Sequence, residues 1–461
     1  MKITLVNPPY PQNAHSHPPF IPLGLAYLGA VAEQAGHEVK IIDCQAEKLT
    51  ADTFGQRISQ QTPDVIGVTS TTLLYKSAKN ILETAKEQHP NAITIIGGSH
   101  VSFWDENALN ESPNIDVVVR REGELTFLEL LQRMEAEKNF KGVLGATFRA
   151  SDGKIIRNED RPFLHDLDTL PTPAYHLLPL HAFRRMGKTI FPLVTSRGCV
   201  QWCDFCSTVR MFGRGYRMRS MKNVVDEMEM LHNKYGESQF TFYDDAFTVN
   251  RQHVLQMCED IKSRNLNLSW DCETRVDMVD EELLTAMYNA GCITVWFGVE
   301  SGSEKILCQM NKKINLDQTR QAFKTAHKVG LMTIASAVIG FPGETEETAW
   351  ETINLVNSLN PDGIGFYIAT PYPGTPMYEQ VVKNGWLRVT DFNKYDTATP
   401  TFETPLLSME RLRELHYKAH QKFYLRPSYV LKMIRRGGTY GKSGLKTSAA
   451  YALRAMHIKL S

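Results

Sequence analysis

Short apolar runs alternate with longer amphipathic stretches along the first 138 residues. The apolar runs that predict strands lie at residues 3–6, 39–42, 65–68, 93–96 and 117–119. A helical pattern covers residues 23–35 and ends at Gly36, and further helical patterns separate the later strands. Apolar strands that alternate with helices are typical of a parallel sheet covered on both faces. Residues 1–138 are therefore predicted to form a Rossmann-like α/β domain.

Small and hydroxyl-bearing residues follow two of these strands. They are Thr69, Ser70 and Thr71 after the third strand, and Gly97, Gly98 and Ser99 after the fourth. In open α/β sheets, ligands bind outside the carboxyl ends of the strands, near the point where the strand order changes direction. The sequence therefore predicts a ligand crevice at these two strand ends.

The pattern changes over residues 139–189. Two short strand patterns flank a turn at residues 151–153, and Pro171, Pro173 and Pro179 follow. A turn between two short strands predicts a hairpin, and closely spaced prolines are typical of an extended connection. We interpret this segment as a hairpin followed by a linker between two domains.

A second series of alternating strand and helix patterns covers residues 190–385. Strand patterns lie at residues 191–195, 239–243, 268–272, 294–299, 333–339 and 363–368. Helical patterns lie between them, for example at residues 221–234, 251–263 and 345–359. Six such units are fewer than the eight that close a TIM barrel, so we expect an open, partial (β/α)6 barrel. In barrels of this kind, the chemistry lies at the carboxyl ends of the strands.

The last segment, residues 386–461, is mostly helical in pattern. From residue 426 to the end there are lysines and arginines but neither aspartate nor glutamate. One interpretation is a basic tail surrounded by water. The other is a surface that rests on anionic lipid or receives an acidic substrate.

Composition and charge restrict the class of protein. The 461 residues are 42% hydrophobic and 22% charged, which is typical of a folded chain with two or three domains. Because the formal net charge is zero, no global electrostatic attraction to nucleic acid is expected. The first residues contain two prolines and no secretory signal, and no run of eighteen apolar residues occurs anywhere, so we expect a cytoplasmic protein.

The eight cysteines fall into two groups. Five are scattered among apolar segments and are interpreted as buried thiols that pack as small hydrophobic side chains: Cys44, Cys258, Cys272, Cys292 and Cys308. The other three, Cys199, Cys203 and Cys206, lie within eight residues of one another. Such a group requires a separate explanation.

The spacing C-x3-C-x2-C is the strongest chemical signal in the chain. It follows the first strand pattern of the barrel, so the three thiolates would be presented at the carboxyl end of the sheet. One loop with this spacing can supply three of the four iron ligands of a [4Fe–4S] cubane and leave the fourth iron open. The alternative is a zinc site, but structural zinc requires four ligands and no partner pair of cysteines is present.

The cysteine loop before a partial barrel resembles the radical S-adenosylmethionine (SAM) superfamily. In that family, the open iron binds the amino and carboxylate groups of SAM. The reduced cluster cleaves SAM to methionine and a 5′-deoxyadenosyl radical, which abstracts hydrogen from the substrate. The resemblance covers residues 190–385 and identifies Cys199, Cys203 and Cys206 as cluster ligands and catalytic residues.

The same resemblance implies roles for other strand-end residues. Phe205 would flank the adenine of SAM, Asp244 and Asp245 would bind its amino group, and Arg275 would bind its carboxylate. Glu300, with Ser301, would accept hydrogen bonds from the ribose hydroxyls, and Gly340 lies in a segment that resembles the adenine-side strand end. Each of these residues also has a purely structural interpretation, such as a helix cap, a turn or a surface ion pair.

A Rossmann-like domain ahead of such a barrel resembles the cobalamin-binding subfamily. The similarity includes residues 22–28, 64–68, 97–100 and 121–124. It implies that Thr69, Ser70 and Thr71, with Gly97, Gly98 and Ser99, hold the nucleotide tail of the corrin. One departure is Gln45, which stands where many cobalamin proteins have the histidine that ligates cobalt from below. Either the cobalt lacks this lower ligand or the domain holds no cobalamin.

The expected function is methyl transfer to an unactivated carbon, with a [4Fe–4S] cluster, SAM and cobalamin as cofactors. The alternatives are a non-methylating radical enzyme, such as an anaerobic oxidative cyclase of tetrapyrroles or a lipid-tailoring enzyme, and a non-enzymatic iron–sulfur sensor. The expected partners are a small-molecule substrate, which the basic segment would suit if it is large and hydrophobic, and an electron donor such as flavodoxin or ferredoxin. No nucleic acid and at most peripheral membrane contact are expected.

Overall fold

The structure is a computed structural model that describes residues 1–11, 20–136, 139–185 and 190–458. Two mainly parallel sheets, one of seven strands and one of six, are followed by a helical C-terminal region. This architecture confirms the predicted fold class. Residues 186–189, at the end of the predicted linker, and residues 459–461 lie outside the described residues.

The first sheet has the strand order β2-β1-β3-β4-β5-β6-β7. Its strands are β1 (Lys2–Asn7), β2 (Glu38–Asp43), β3 (Val65–Thr69), β4 (Ile93–Gly97), β5 (Val117–Val119), β6 (Ala146–Arg149) and β7 (Ile155–Arg157). The helices that accompany it are α1 (Leu23–Gln34), α2 (Ala51–Ser59), α3 (Tyr75–Gln88), α4 (Asp105–Glu111) and α5 (Glu124–Ala136). The first five strands are parallel because each is connected to the next through a helix.

The predicted hairpin is part of this first sheet. Strand β6 pairs antiparallel with β5, and β7 pairs antiparallel with β6. The predicted boundary at residue 138 therefore separates strands of one sheet, and the sheet itself continues to Arg157. Periodicity identified the two strands, but it carries no information on which existing edge a hairpin joins.

The strand order of the first sheet changes direction at β1, which lies between β2 and β3. The connections that follow the neighbouring strands β1 and β3 leave their carboxyl ends toward opposite faces of the sheet, which opens a crevice there. One apolar cluster fills one face of the sheet and continues into the barrel, and a second cluster covers the opposite face. The crevice therefore faces the second domain.

The second sheet has the strand order β15-β14-β13-β12-β11-β8, and all its strands are parallel. Its strands are β8 (Ile190–Leu193), β11 (Gln239–Phe242), β12 (Ser269–Thr274), β13 (Cys292–Glu300), β14 (Met332–Ile339) and β15 (Gly363–Ile368). A separate ribbon consists of β9 (Ser196–Arg197) and β10 (Arg217–Met218). Because β8 and β15 form the two edges, the barrel is open, as predicted.

Helices cover the outside of this barrel and form the C-terminal region. They are α6 (Leu180–Arg185), α7 (Thr208–Phe212), α8 (Met221–Tyr235), α9 (Arg251–Ser263), α10 (Glu281–Asn289), α11 (Glu304–Gln309), α12 (Leu316–Val329), α13 (Glu346–Leu359), α14 (Pro376–Lys383), α15 (Met409–Tyr424), α16 (Pro427–Arg436) and α17 (Gly438–Ile458). The C-terminal helices are anchored to the last strand and its preceding turn: His416 bonds the carbonyl oxygen of Phe366, and Lys432 pairs with Asp362 at 2.9 Å. Among the described residues, no helix combines the length and the apolar character that crossing a membrane requires.

Candidate functional site

A cavity of about 430 Å³ lies between the carboxyl ends of the two sheets. From the first sheet it is lined by Thr69, Gly97 and Gly98, and from the barrel side by Tyr243 and Asp245. Because it collects strand ends from both domains, a ligand held by the first domain would face the loops of the barrel. Of the barrel residues predicted to hold the cluster or SAM, Asp245 lines this cavity.

The cysteine loop follows the ribbon strand β9 at this end of the barrel. Cys203 is buried, Cys199 and Cys206 are half-buried, and all three are free thiols. Cys206 lies within electrostatic reach of both Cys199 and Cys203. Burial raises the pKa of the Cys203 thiol to about 12 and also raises that of Cys206. A cationic iron centre would offset this cost, because metal coordination deprotonates a thiol.

The cysteine loop is fixed by its neighbours on both sides. Gly198 adopts a left-handed backbone conformation with φ of 92°, and a side chain there would overlap the carbonyl oxygen of Gly215. Farther along the loop, the Asp204 amide donates to the carbonyl oxygen of Met310 at 3.0 Å. The Asn311 side-chain amide donates to the carbonyl oxygen of Trp202 at 2.7 Å. These contacts define the path of the loop.

Within the described ranges, no three histidine, cysteine, aspartate or glutamate side chains are grouped closely enough to hold a single metal ion. A zinc site requires such a group, because all its ligands contact one atom. In a cubane, each of the three thiolates binds a different iron atom, so the sulfurs stand farther apart. The assignment of the three thiols to a cluster stays a prediction from their spacing in the sequence.

The two neighbouring aspartates after β11 have different surroundings. Asp244 is buried, and its carboxylate accepts bonds from the Thr195 amide, at 3.1 Å, from the Thr195 hydroxyl, at 2.7 Å, and from the Ser196 hydroxyl. Asp245 lines the cavity and accepts from the Thr208 hydroxyl at 2.7 Å and from the Gly198 amide. Burial raises the pKa of Asp245 to about 6.

This contrast separates the two aspartates. The Asp244 carboxylate holds Thr195 and Ser196, the residues that lead into the cysteine loop, and its contact with the SAM amino group stays a prediction. Asp245 retains an accessible carboxylate and stays a predicted ligand of the SAM amino group. The sequence could not separate the two, because adjacent residues at a strand end point in opposite directions.

Arg275 directly follows β12 and is engaged by neighbouring residues. Its guanidinium is buried and makes two bonds to Asp277, at 2.9 and 3.0 Å, and one to the carbonyl oxygen of Lys312, at 3.0 Å. These bonds use the Nε and Nη2 atoms and support the segment around Lys312. The predicted contact of Arg275 with the methionine carboxylate stays a prediction.

Glu300 lies at a strained position at the end of β13. Its φ of 60° is in the left-handed region, and the register of β13 against β14 shifts between Gly298 and Glu300. Its carboxylate pairs with the buried Lys312 ammonium at 2.6 Å. Burial opposes the charge of Lys312, but Glu300 raises its pKa, so the ammonium stays charged. Glu300 keeps its second oxygen for a ligand, consistent with the predicted ribose contact.

The remaining predicted barrel residues differ in accessibility. Ser301 is buried and its hydroxyl bonds Thr352 at 3.1 Å, so it supports the strand end and is not placed to contact a ligand. The Gly340 amide donates a hydrogen bond to the Glu344 carboxylate. Phe205 is half-buried and packs against an apolar cluster that includes Phe341. Of these three residues, Phe205 has an accessible part of its side chain that could contact an adenine ring.

In the first domain, the predicted cradle divides into two sets. Of the described residues, Thr69, Gly97 and Gly98 line the cavity, whereas Ser70, Thr71 and Ser99 do not. Ser70 is buried, and its amide donates to the carbonyl oxygen of Gly97 at 2.7 Å. A Cβ atom at Gly98 would stand 2.5 Å from the carbonyl oxygen of Ser70. Ser70 therefore shapes the cradle from behind, and the predicted direct contacts of Ser70, Thr71 and Ser99 do not follow from this geometry.

Gln45 turns toward the first strand. Its side-chain amide donates to the carbonyl oxygen of Pro8 at 2.9 Å and lies 3.4 Å from the side-chain oxygen of Asn7. Asp43, two residues earlier, accepts from Asn7 and from the Gln45 and Ala46 amides. These contacts build the turn after β2, so Gln45 acts in this turn as a structural residue.

One group of site residues was not predicted individually. Glu122 and Glu124 of the first domain form ion pairs with Arg197 and Arg217, which flank the cysteine loop. The sequence contained a weak signal, since residues 121–124 belong to the segments that resemble the cobalamin-binding group. The pairing itself was not predictable, because the partners are 73 to 95 residues apart along the chain.

Comparisons with known proteins agree with these observations. Residues 13–131 match the family model described as "B12 binding domain", and residues 193–356 match the "Radical SAM superfamily". The chain is 39% identical to an "uncharacterized methyltransferase" of Pyrococcus horikoshii, over 90% of each chain. It is 30% identical to the anaerobic magnesium-protoporphyrin IX monomethyl ester cyclase of Rubrivivax gelatinosus, over 89% of this chain and 74% of the cyclase.

A solved structure shares the whole fold. The radical SAM methyltransferase TsrM from Kitasatospora setae, with cobalamin and a [4Fe–4S] cluster bound, superimposes with a TM-score of 0.76 and covers 99% of both chains. The two sequences are 17% identical. The likeness therefore extends through both domains and the C-terminal region and concerns the fold.

Proposed function

Because this chain belongs to the radical SAM superfamily, in the group that carries an N-terminal B12-binding domain, we propose that it methylates an unactivated carbon of a small-molecule substrate. The cofactors of this group are a [4Fe–4S] cluster, SAM and cobalamin. The methyl transfer is supported by the relative from Pyrococcus horikoshii, which is named a methyltransferase.

The observation that carries the proposal is the single cavity between the two sheets. It joins the glycine-lined cradle at Gly97 and Gly98 to the barrel residues Ser196, Arg197 and Asp245, next to the cysteine loop. Methyl transfer through two cofactors requires both to reach one substrate, and a shared cavity meets this requirement. Two separate pockets on distant faces would not.

The residues present fit both cofactors. Three free thiols stand on one loop, and Gly98, which lines the cavity, lets its backbone approach that of Ser70 so closely that a Cβ atom would overlap it. Bound together, the two groups supply an electron that cleaves the sulfonium of SAM and a methyl group carried on cobalt. The predicted ligands of the cluster are Cys199, Cys203 and Cys206, and the predicted contacts of the corrin are Thr69, Gly97 and Gly98.

The side chains around the cavity would orient SAM. The Asp245 carboxylate faces the cavity and suits an ammonium group. Glu300, held by Lys312, presents its remaining acceptor capacity near the barrel end. Tyr243, 43% exposed, stands at the cavity wall and supplies an aromatic surface for substrate.

The test of methyl transfer uses SAM that carries a deuterated methyl group. The reconstituted chain is incubated with this SAM, a reductant and a metabolite extract, and products are followed by mass spectrometry. We expect a product heavier by one labelled methyl group, formed together with deoxyadenosine. Deoxyadenosine without any methyl-labelled product from extracts would contradict methylation as the reaction.

A second candidate is an oxidative cyclase, and the 30% identical cyclase of Rubrivivax gelatinosus favours it. Both reactions would begin with hydrogen abstraction in the same cavity. They differ in the product: a cyclase adds oxygen or removes hydrogen, whereas a methyltransferase adds one methylene unit. Product mass therefore distinguishes them in the same experiment.

An electron donor such as flavodoxin or ferredoxin is proposed to reach the cluster at the tip of the cysteine loop. Val200 and Trp202 are 38% and 40% exposed there, and the Arg214 guanidinium lies 5.4 Å from the Trp202 ring centroid. An exposed apolar tip beside a cation suits a small acidic redox protein. We further propose a cytoplasmic location, with at most peripheral membrane contact through the basic helix α16, whose Leu431 and Ile434 are exposed.

A further inference from the structure

The ribbon that leads into the cysteine loop contains two opposed arginines. In the β9–β10 pair, Arg197 stands directly across from Arg217, and Arg197 is two residues before Cys199. Like charges directly opposite each other in an antiparallel pair are destabilising. The ribbon therefore requires negative charge from outside itself.

That charge comes from the first domain. One Glu122 oxygen accepts from Arg217 at 2.9 Å and from Arg197 at 3.1 Å, so a single carboxylate bridges the two guanidinium groups. Glu124 accepts from Arg197 at 2.6 and 3.3 Å. We call these four side chains the interdomain charge network.

The interdomain charge network is withdrawn from water. The four side chains are only 8 to 11% exposed. Although burial opposes its ionisation, Arg197 holds the pKa of Glu124 below its usual range. When one partner of a buried ion pair is removed, an uncompensated charge stays in a poorly hydrated place, which is strongly destabilising. Arg197 and Arg217 therefore depend on the two glutamates for the position of the ribbon.

The glutamates themselves are rigidly held. Arg121 adopts a left-handed conformation with φ of 60° in the turn after β5, which directs the next residue toward the barrel. Glu122 also accepts from the Leu164 amide at 3.0 Å, and Glu124 is the first residue of helix α5. A negative side chain in the first turn of a helix is favoured by the helix dipole.

We propose that Glu122 and Glu124 are positioning residues that set the place of the cysteine loop from the first domain. They act through Arg197 and Arg217, whose guanidinium groups their carboxylates hold. Three members of the network, Glu122, Glu124 and Arg197, also line the shared cavity, so the walls of the cofactor cradle and the entry to the cysteine loop are parts of one ion-paired unit. The inference deepens the proposed function, on which it rests for the identity of the loop as a cluster site.

The test measures amide hydrogen exchange over residues 196–206 in the full-length chain. Glu122→Gln keeps the shape of the side chain and removes its charge. We expect exchange in this segment to become faster by on the order of tenfold, because the ribbon then holds two arginines with one fewer counter-charge. The matched control is Glu282→Gln, which removes a carboxylate from the exposed pair with Arg251 and should leave this segment unchanged.

A double variant separates charge compensation from simple packing. Glu122→Gln combined with Arg217→Met removes the opposed arginine together with its counter-charge. We expect exchange to return toward that of the wild-type chain. A packing role predicts instead that the second substitution adds to the damage.

Each outcome decides the inference. Unchanged exchange in Glu122→Gln, or faster exchange in the double variant than in the single one, would overturn it. If Glu122→Gln does not fold, the double variant should fold, and failure of both would overturn the inference as well. The exchange measurement needs no cofactor, so it stands apart from the proposed function, which fails separately if the reconstituted wild-type chain holds no iron.

Discussion

The cysteine loop and the crevice of the first domain offer different chemical groups to a ligand. The loop presents its chemistry on side chains: three free thiols within eight residues. The crevice presents strand ends and backbone, with Gly98 at φ of 106° pressed against the backbone of Ser70. Reactive side chains have a spacing that can be recognised in a sequence, whereas a backbone cradle depends on which strands become neighbours. The side chains of the cysteine loop can therefore be identified from the sequence, whereas the backbone contacts of the crevice are known only from the folded structure.

The largest effect is expected from removing one thiol of the loop. Cys203→Ala should lower deoxyadenosine formation by on the order of a thousandfold or more, since a cluster with two protein ligands is not retained as a catalyst. The measurement is deoxyadenosine per chain under anaerobic, reducing conditions. Cys308→Ala is the control. The interpretation of Cys308 as a buried thiol was wrong, since it is an exposed free thiol, and it lies outside the loop.

The contrast between a side-chain site and a backbone site would be wrong if the cysteine side chains of the loop were not needed. Deoxyadenosine formation at wild-type rate in Cys203→Ala would remove the cluster from this loop. Equal losses in Cys203→Ala and Cys308→Ala would show a general effect of cysteine removal and not a specific site.

The crevice makes the opposite prediction, because an added side chain should be harmful there. Gly98→Ala introduces a Cβ atom 2.5 Å from the Ser70 carbonyl oxygen at a left-handed position, which costs about 1–3 kcal/mol. We expect cobalamin affinity to fall roughly tenfold. Gly153→Ala is the matched control, because Gly153 has a similar left-handed φ of 83° but a Cβ atom there meets no atom of the described residues within 4 Å, and it lies outside the cavity lining. Equal cobalamin affinity in both variants, measured from the corrin absorbance, would contradict a backbone cradle at Gly98.

The neighbouring aspartates sharpen the distinction within the barrel itself. Asp245→Asn should weaken SAM binding by about tenfold with little change in stability, since the carboxylate faces the cavity. Asp244→Asn should instead lower the free energy of unfolding by roughly 2 kcal/mol, since it disrupts the bonds to Thr195 and Ser196. Calorimetric SAM titration and chemical denaturation check the two effects. If Asp244→Asn weakened SAM binding and Asp245→Asn lowered the free energy of unfolding, the roles given to the two aspartates would be reversed.

Some elements of the structure could be predicted from the sequence and others could not. The strand positions, the open barrel and the cysteine loop followed from periodicity and spacing, because these are local properties. The attachment of β6 to β5 did not, since an edge becomes available only when the sheet has formed. Arg275 and Asp244 were assigned to SAM from their place in the chain, whereas their contacts with Asp277 and Thr195 were not predicted. Such contacts depend on side-chain direction.

The interdomain charge network is the clearest case of information absent from local sequence. Glu122 and Arg217 are 95 residues apart, and neither lies in a motif that names its partner. Their meeting depends on how two domains pack. The positive φ of Arg121 and of Glu300 likewise has no signature in residue type, since neither is a glycine.

The last effect is on the pH dependence of stability and concerns Glu344, whose carboxylate accepts a hydrogen bond from the Gly340 amide directly after β14. Burial raises the pKa of Glu344 to about 8, and one of its oxygens is buried with no hydrogen-bond partner among the residues that the structure describes. The folded chain therefore holds a proton that the unfolded chain releases at its lower pKa. Stability from this group is complete below the unfolded pKa and is lost as the pH rises toward 8.

Glu344→Gln should remove this dependence. Between about pH 6 and about pH 9, the free energy of unfolding of the wild-type chain should fall by roughly 2–3 kcal/mol more than that of the variant. Denaturation at a series of pH values measures the difference. Parallel curves for both proteins would contradict a protonated Glu344.

The most direct test of the central claim is metal and product analysis of the full chain after anaerobic reconstitution with iron, sulfide and hydroxocobalamin. The account predicts about four iron atoms and about one cobalt atom per chain, the content of one cubane and one corrin, and deoxyadenosine from SAM once a reductant is added. Zinc bound in place of iron, or an iron-loaded and cobalt-loaded chain that leaves SAM intact, would contradict it.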